Sequence, residues 1–180
     1  MSRIFGPIRQ SGYVVPDIDA RMRFMAEVVG IGPWFVAREI RIPVCVYRGQ
    51  PIDLVMHAAL ANSGSHQIEL IQQVSPGRSL YTEWLERYPD GGPLQHVSSW
   101  APDFDATIAR ARAAGWAMVH EGRSGYGPFG YLEHPADPDT IFEVAEFNAA
   151  RRSVFEQIAD ASRDWDGSDP IRESWPKARA

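Results

Sequence analysis

The sequence predicts an α+β fold built from two consecutive βαβββ modules and closed by a C-terminal helix. Three observations carry this expectation. The turn Pro16-Asp17-Ile18-Asp19-Ala20 recurs 86 positions later as Pro102-Asp103-Phe104-Asp105-Ala106, and the six residues before each copy, 10–15 and 96–101, differ in sequence but begin on Gln10 and His96. After each copy the apolar spacing changes from about 2 to about 3.6 residues, as it does where a strand gives way to a helix. Each copy then runs into three further β-prone segments, and the last of these sets a glutamate between apolar residues: Ile68-Glu69-Leu70 in one, Phe142-Glu143-Val144 in the other.

The elements follow in order. Ile8 to Val15 is a strand that Pro16 stops. Asp17 caps the next helix and Asp19 sets negative charge at its positive end. Ile18, Met22 and Met25 share one helical face until Gly30 ends it. Strands are expected at Trp34 to Arg38, Ile52 to Leu60 and His66 to Gln73, which completes module one over residues 7–76. A linker over 77–92 holds a short helical stretch, Tyr81 to Arg87. Module two, 93–148, repeats the pattern: strand Leu94 to Trp100, breaker Pro102, cap Asp103, and a helical face of Phe104, Ile108 and Ala111. Its later strands are Ala117 to His120, Phe129 to Leu132 and Thr140 to Phe147. Within the C-terminal region 149–180, Val154, Phe155, Ile158, Ala161 and Trp165 predict an amphipathic helix packed on the body or on a second subunit, so a homodimer is open. The final fifteen residues, with Gly167, Pro170 and Pro176, read as irregular.

Composition excludes several function classes. The 180 residues carry 18 basic and 23 acidic side chains, a net charge of −5, with both signs mixed along the chain. Nucleic acid is therefore not an expected partner, because phosphate neutralisation needs a basic face. Lys177 is the only lysine, which leaves no plausible Schiff-base residue. Cys45 stands alone, so neither an internal disulfide nor a paired-cysteine zinc or redox site can form. No stretch has the apolar length of a membrane span, and the first ten residues lack a signal-peptide core; a cytoplasmic protein without a membrane partner is expected.

Four residues could hold a metal. The repeat superimposes Gln10 on His96, and Glu69 and Glu143 close the two modules. Strand side chains alternate between faces, so Glu69 and Glu143 point away from their apolar neighbours, which the helices should cover. Singly, each residue reads as well as a solvent-facing or structural side chain. Jointly they make one amide, one imidazole and two carboxylates, whose charge balances a divalent ion and leaves positions open for water or substrate. A closed structural zinc site would use cysteines instead.

These motifs, with the Val15-Pro16-Asp17-Ile18-Asp19-Ala20 turn and Leu94-Gln95-His96-Val97, resemble the vicinal-oxygen-chelate superfamily of glyoxalases, bleomycin-resistance proteins and dioxygenases. The resemblance covers residues 7–148. It implies one glyoxalase-like domain in which the modules curl into a cup-shaped sheet, with Gln10, Glu69, His96 and Glu143 as ligands of one zinc, nickel, cobalt or manganese ion. It further implies a metal-dependent lyase, isomerase or epimerase acting on a small carbonyl substrate through an enolate or enediolate. Glu143 is the first choice of base and Glu69 the second. Ser98 and Trp100, on the His96 face, and Tyr126, Phe129 and Tyr131, in and after the rim loop, are expected to contact the substrate.

Departures narrow the reading. Where glyoxalase I recognises glutathione with Arg, Asn and Arg, this chain has Val14, Gln73 and Gly92. Extradiol-type dioxygenases of the superfamily place a histidine where Gln10 stands, and an amide is a poor iron(II) ligand. No basic cluster suits a coenzyme A tail. A resistance-type protein, which sequesters small molecules without metal or catalysis, is the main alternative. The GxGxxG match at Gly125–Gly130 contains a proline and has no helix after it, so it reads as a rim loop and not a dinucleotide site. His57 could reach the cup but reads better as structural. His66, His120 and His134, near strand ends, are expected to be solvated.

Overall fold

A computed structural model describes residues 1–179. Strand β1 (Ile8–Val14) leads into α1 (Ile18–Phe24), and Asp17 caps it by accepting from the Ala20 amide at 2.9 Å. One π-helical turn, Met25–Val29, runs to Gly30, whose left-handed backbone lets the chain leave. Next come β2 (Trp34–Ile42), the small hairpin β3 (Val44–Tyr47) and β4 (Gln50–Pro51), then β5 (Leu54–Ser63) and β6 (His66–Gln73). Helix α2 (Leu80–Arg87) follows, with a capping box between Ser79 and Thr82. Module two runs β7 (His96–Ala101), α3 (Phe104–Ala113), β8 (Ala117–Ser124), β9 (Gly127–His134) and β10 (Asp137–Glu146). Asp103 repeats the Asp17 cap, accepting from the Ala106 amide at 2.9 Å. Helix α4 (Ala149–Ser162) and a two-residue strand β11 (Ile171–Arg172) end the fold.

All strands join one sheet in the order β11-β2-β5-β6-β1-β7-β10-β9-β8-β3-β4. Each module contributes the same arrangement in opposite sense, and the first strands β1 and β7 meet antiparallel at the centre. β1 pairs parallel with β6, and β7 parallel with β10. The sheet is curved and unclosed. The two modules of a single chain thus build the whole cup.

The convex face is covered as the periodicity implies. Ile18 and Met22 of α1 pack on Trp34, Val36, Ala59, Ala61 and Leu70. Ile108 and Ala111 of α3 pack on Leu132 and Val144. Each such buried Ile, Met, Leu or Val side chain contributes about 1.5–3 kcal/mol. Two helices enter the concave side. Leu80, Tyr81 and Trp84 of α2 join one interior cluster, and Val154, Phe155 and Ile158 of α4 pack on Phe35 and Leu60 in another.

Four expectations need correction. Strand β2 does not stop at Arg38. A bulge between Ala37 and Ile40 resets the alternation, with Glu39 at φ 50°, and so turns Ile40 and Ile42 inward. The hairpin β3–β4 was not anticipated. It crosses to module two, where β3 pairs antiparallel with β8. His120 is fully buried and not solvated, because that hairpin covers it. Its Nε2 lies 3.1 Å from Cys45 Sγ, its ring stacks on Tyr131, and burial holds its pKa down to about 4. In addition, the C-terminal tail is not wholly irregular, since β11 pairs parallel with the edge strand β2.

Candidate metal centre

The central four strands bring the predicted ligands together. In the register of β1, β6, β7 and β10, Gln10 lies opposite Ser98, Glu143 opposite Ser98, and Gly12 opposite both Glu69 and His96. Glu69, His96 and Glu143 each offer a ligand atom within 4.8 Å of the others. His96 Nε2 is 3.4 Å from Glu69 Oε2 and 3.8 Å from Glu143 Oε2. Gln10 is buried, and its Nε2 donates to Gln67 Oε1 at 2.8 Å, which leaves its own Oε1 as the free donor atom.

The surroundings fit a cation. His96 Nδ1 lies 2.6 Å from Gln95 Oε1, an acceptor only, so the ring proton sits on Nδ1 and Nε2 keeps a lone pair. That Nε2 is buried without a protein hydrogen-bond partner. Burial pushes Glu69 up to about 7. Glu143 is raised too, by burial first and then by the charge of Glu69, while burial lowers His96. Two carboxylates turned into an apolar interior against a neutral imidazole are costly alone and favourable around a divalent ion.

A cavity of about 220 Å³ opens over the cluster. Of the residues expected to contact substrate, Trp100, Tyr126, Phe129 and Tyr131 line it. Ser98 does not; it stands under the wall between Gln10 and Glu143, its Oγ buried and unpartnered. The loop at Gly125-Tyr126 is a tight turn joining β8 to β9 at the rim, with Ser124, Gly125 and Tyr126 on the wall. His57 is structural, accepting from the Glu39 amide at the β2 bulge.

Sequence reasoning missed several wall residues, Tyr81, Trp175 and Arg151 among them. Tyr81 of α2 closes one end of the cavity and its hydroxyl is 2.9 Å from that of Tyr131. Trp175 closes another part, its Nε1 donating to the carbonyls of Phe35 and Ala58 at 3.1 and 3.3 Å. Arg151 of α4 is the third of these. A signal for Arg151 existed: residues 151, 154, 155 and 158 form one helical stripe.

The chain matches the model of the Glyoxalase/Bleomycin resistance protein/Dioxygenase superfamily over residues 9–131. It belongs to that superfamily. A sequence search found no match to an individually curated protein. Among solved structures, methylmalonyl-CoA epimerase from Mycobacterium tuberculosis is similar with TM-score 0.56 at 17% identity, covering 82% of this chain and 92% of that one. A hypothetical protein from Bacillus halodurans C-125 gives TM-score 0.56 at 15% identity, covering 79% and 94%. A selenomethionine form of methylmalonyl-CoA epimerase gives 0.53 at 19%, covering 82% and 99%. At these identities the likeness is one of fold. Among the described residues, no helix is long and apolar enough to cross a membrane.

Proposed function

We propose that this chain is a metal-dependent isomerase, epimerase or lyase that moves a proton beside the carbonyl group of a small molecule. The observation that carries the reading is the convergence of Glu69, His96 and Glu143 within 4.8 Å at a buried cavity. These three residues, with Gln10 Oε1, would hold one divalent ion, zinc, nickel, cobalt or manganese. When bound, the ion would act as a Lewis acid and lower the cost of negative charge on the substrate's carbonyl oxygen, as an enolate or enediolate requires.

The protein's own groups supply the rest. Glu143 is the first choice for taking the proton from the carbon next to the carbonyl and returning it, with Glu69 second. In the metal-free protein burial raises both carboxylates above a solvated glutamate; with an ion bound, the one acting as base would have to loosen from it first, because a ligand carboxylate has low basicity. Tyr81 and Tyr131, their hydroxyls held together and their pKa values raised by burial, remain neutral donors on the wall. The aromatic lining excludes water from a charge-bearing intermediate. A resistance-type binder would use the same cup without metal, but it would then bury two carboxylates around a neutral histidine to no purpose. An extradiol-type dioxygenase is disfavoured by the amide at Gln10.

Elemental analysis of protein purified without chelator or His-tag tests this. About one divalent ion per chain is expected. It should be lost in His96→Ala and Glu69→Ala; if both variants fold and keep wild-type metal, the constellation is not a metal site. Solvent deuterium appearing by NMR at the carbon beside the carbonyl of a candidate substrate would then support the proton transfer.

A further inference from the structure

Arg151 is a buried cation without an anion. It lies in the first turn of α4 and is only 6% exposed, yet it lines the cavity. Its Nη1 donates to the backbone carbonyl of Glu146. Among the described residues, Nε and Nη2 have no protein acceptor and no carboxylate forms an ion pair with the group; Glu69, Glu143 and Glu146 act on it only at a distance. The helix holds it rigidly, because Asn148 caps α4 by accepting from the Arg151 amide and Val154, Phe155 and Ile158 fix the same stripe in the core.

Charge counting says what it is for. Glu69 and Glu143 balance a divalent ion, and Glu146, the third carboxylate acting on Arg151, accepts from Asn148 and makes no ion pair with the guanidinium, so Arg151 keeps a positive charge without a contact partner. Among the described residues it is the only cationic side chain on a wall that is otherwise largely apolar. An unpaired guanidinium in such a place is expensive unless an anion arrives, and its fork matches a carboxylate. The cavity, about 220 Å³, falls below the ~300–1,000 Å³ of ordinary ligand pockets, so the occupant is small.

We infer that Arg151 is the specificity residue of this cavity, binding the carboxylate of a small monoanionic substrate whose apolar body lies against Trp100, Phe129 and Trp175. This deepens the proposed function and rests on it, the carbonyl reacting at the metal centre while Arg151 grips the far end. A phosphate ester or a thioester with a long polar carrier fits neither the single charge nor the volume.

Benzoate and benzamide, alike in shape and different in charge, are the probes. Calorimetry on zinc-loaded protein at neutral pH should show benzoate binding at least about tenfold tighter than benzamide, the size of one charge-assisted pair. Arg151→Met should reduce that preference to within about threefold, and Arg151→Lys, which keeps the charge and loses the fork, should fall between. Zinc content should stay equal in all three. If Arg151→Met keeps the preference, the carboxylate is caught elsewhere and the inference fails. It fails too if the wild type shows no preference, or if the variant changes zinc affinity alone, which would make Arg151 a counter-charge for the ligands. Should Arg151→Met not fold, Arg151→Lys decides, and an unchanged benzoate preference there overturns the assignment. Protein that takes up none of zinc, nickel, cobalt and manganese would sink the proposed function. The same comparison on zinc-free protein would still decide the role of Arg151, which stands if Arg151→Met abolishes the preference and falls if it does not.

Discussion

Gly12 and His96 face each other across β1 and β7, and a Cβ built on Gly12 would lie 1.8–2.4 Å from three atoms of the His96 imidazole ring, far inside van der Waals contact. The missing side chain at Gly12 is therefore the space the candidate ligand occupies. Gly12→Ala must push the ring aside or spread the two central strands. Expected are a weaker metal site and a loss of about 1–3 kcal/mol in stability from overpacking. Chelator competition and thermal denaturation measure the two. Wild-type metal affinity in the variant would mean that the ring position is irrelevant to binding.

Gln95 should control metal affinity without touching the metal. Its Oε1 fixes the His96 proton on Nδ1. Gln95→Leu removes that acceptor and frees the ring to turn or change tautomer. Such supporting partners typically contribute 10–100-fold in metal affinity. A zinc titration showing less than a threefold change would count against the assigned tautomer.

The metal-free protein should be most strained at alkaline pH. Burial raises Glu69 from 4.5 to about 7, so between those values the folded chain binds more protons than the unfolded one. Stability from this group therefore falls as pH rises through that window, and the deficit is complete above about pH 7. Glu69→Gln in chelator-treated protein should exceed wild type by up to about 3 kcal/mol at pH 8 and lose its advantage near pH 4.5. Buried His96 and His120, with lowered pKa values, tilt both proteins the other way, so the difference between the two denaturation curves is what to read. No pH dependence in that difference would refute the buried-charge account.

Glutathione hemithioacetal should be a poor substrate. Val14 is sealed in the core, and Gln73 is committed to the loop before α2, its Nε2 donating to the carbonyls of Ser75 and Gly77 at 3.0 Å. At Gly92 a side chain would collide with Tyr88. Charged contacts to a ligand contribute roughly 1.5–3 kcal/mol each, so lacking several costs orders of magnitude. A kcat/KM for methylglyoxal plus glutathione inside the ordinary range of roughly 10⁴–10⁸ M⁻¹s⁻¹ would reverse this view.

What could be read in advance was whatever depends on local periodicity. The Pro-Asp breaker and cap, the helical faces after it, and the alternation around Glu69 and Glu143 all report on short stretches of chain. The β3–β4 hairpin escaped because its partner, β8, lies far along the chain, Cys45 pairing with Gly122, 77 residues on. His120 was misplaced for the same reason: a short strand near a chain bend looks solvated until another segment covers it. Arg151 was overlooked because an arginine on a helix ordinarily extends into water. The stripe it shares with Val154, Phe155 and Ile158 was the one sign that its face turns inward.

The crossing at Pro43 fastens the two modules twice. They pair along β1 and β7, and module one also donates its hairpin to the far edge of module two. Near that junction, a Cβ on Gly122 would lie 3.1 Å from Ile42 Cγ2. Severed in the linker, neither half would be a complete unit. The second would present β8 as a bare edge open to adventitious pairing, and the first would carry a hairpin with nothing to dock on. The halves are thus complementing fragments: mixed, they hold the parts for reassembly; apart, each has a reason to aggregate.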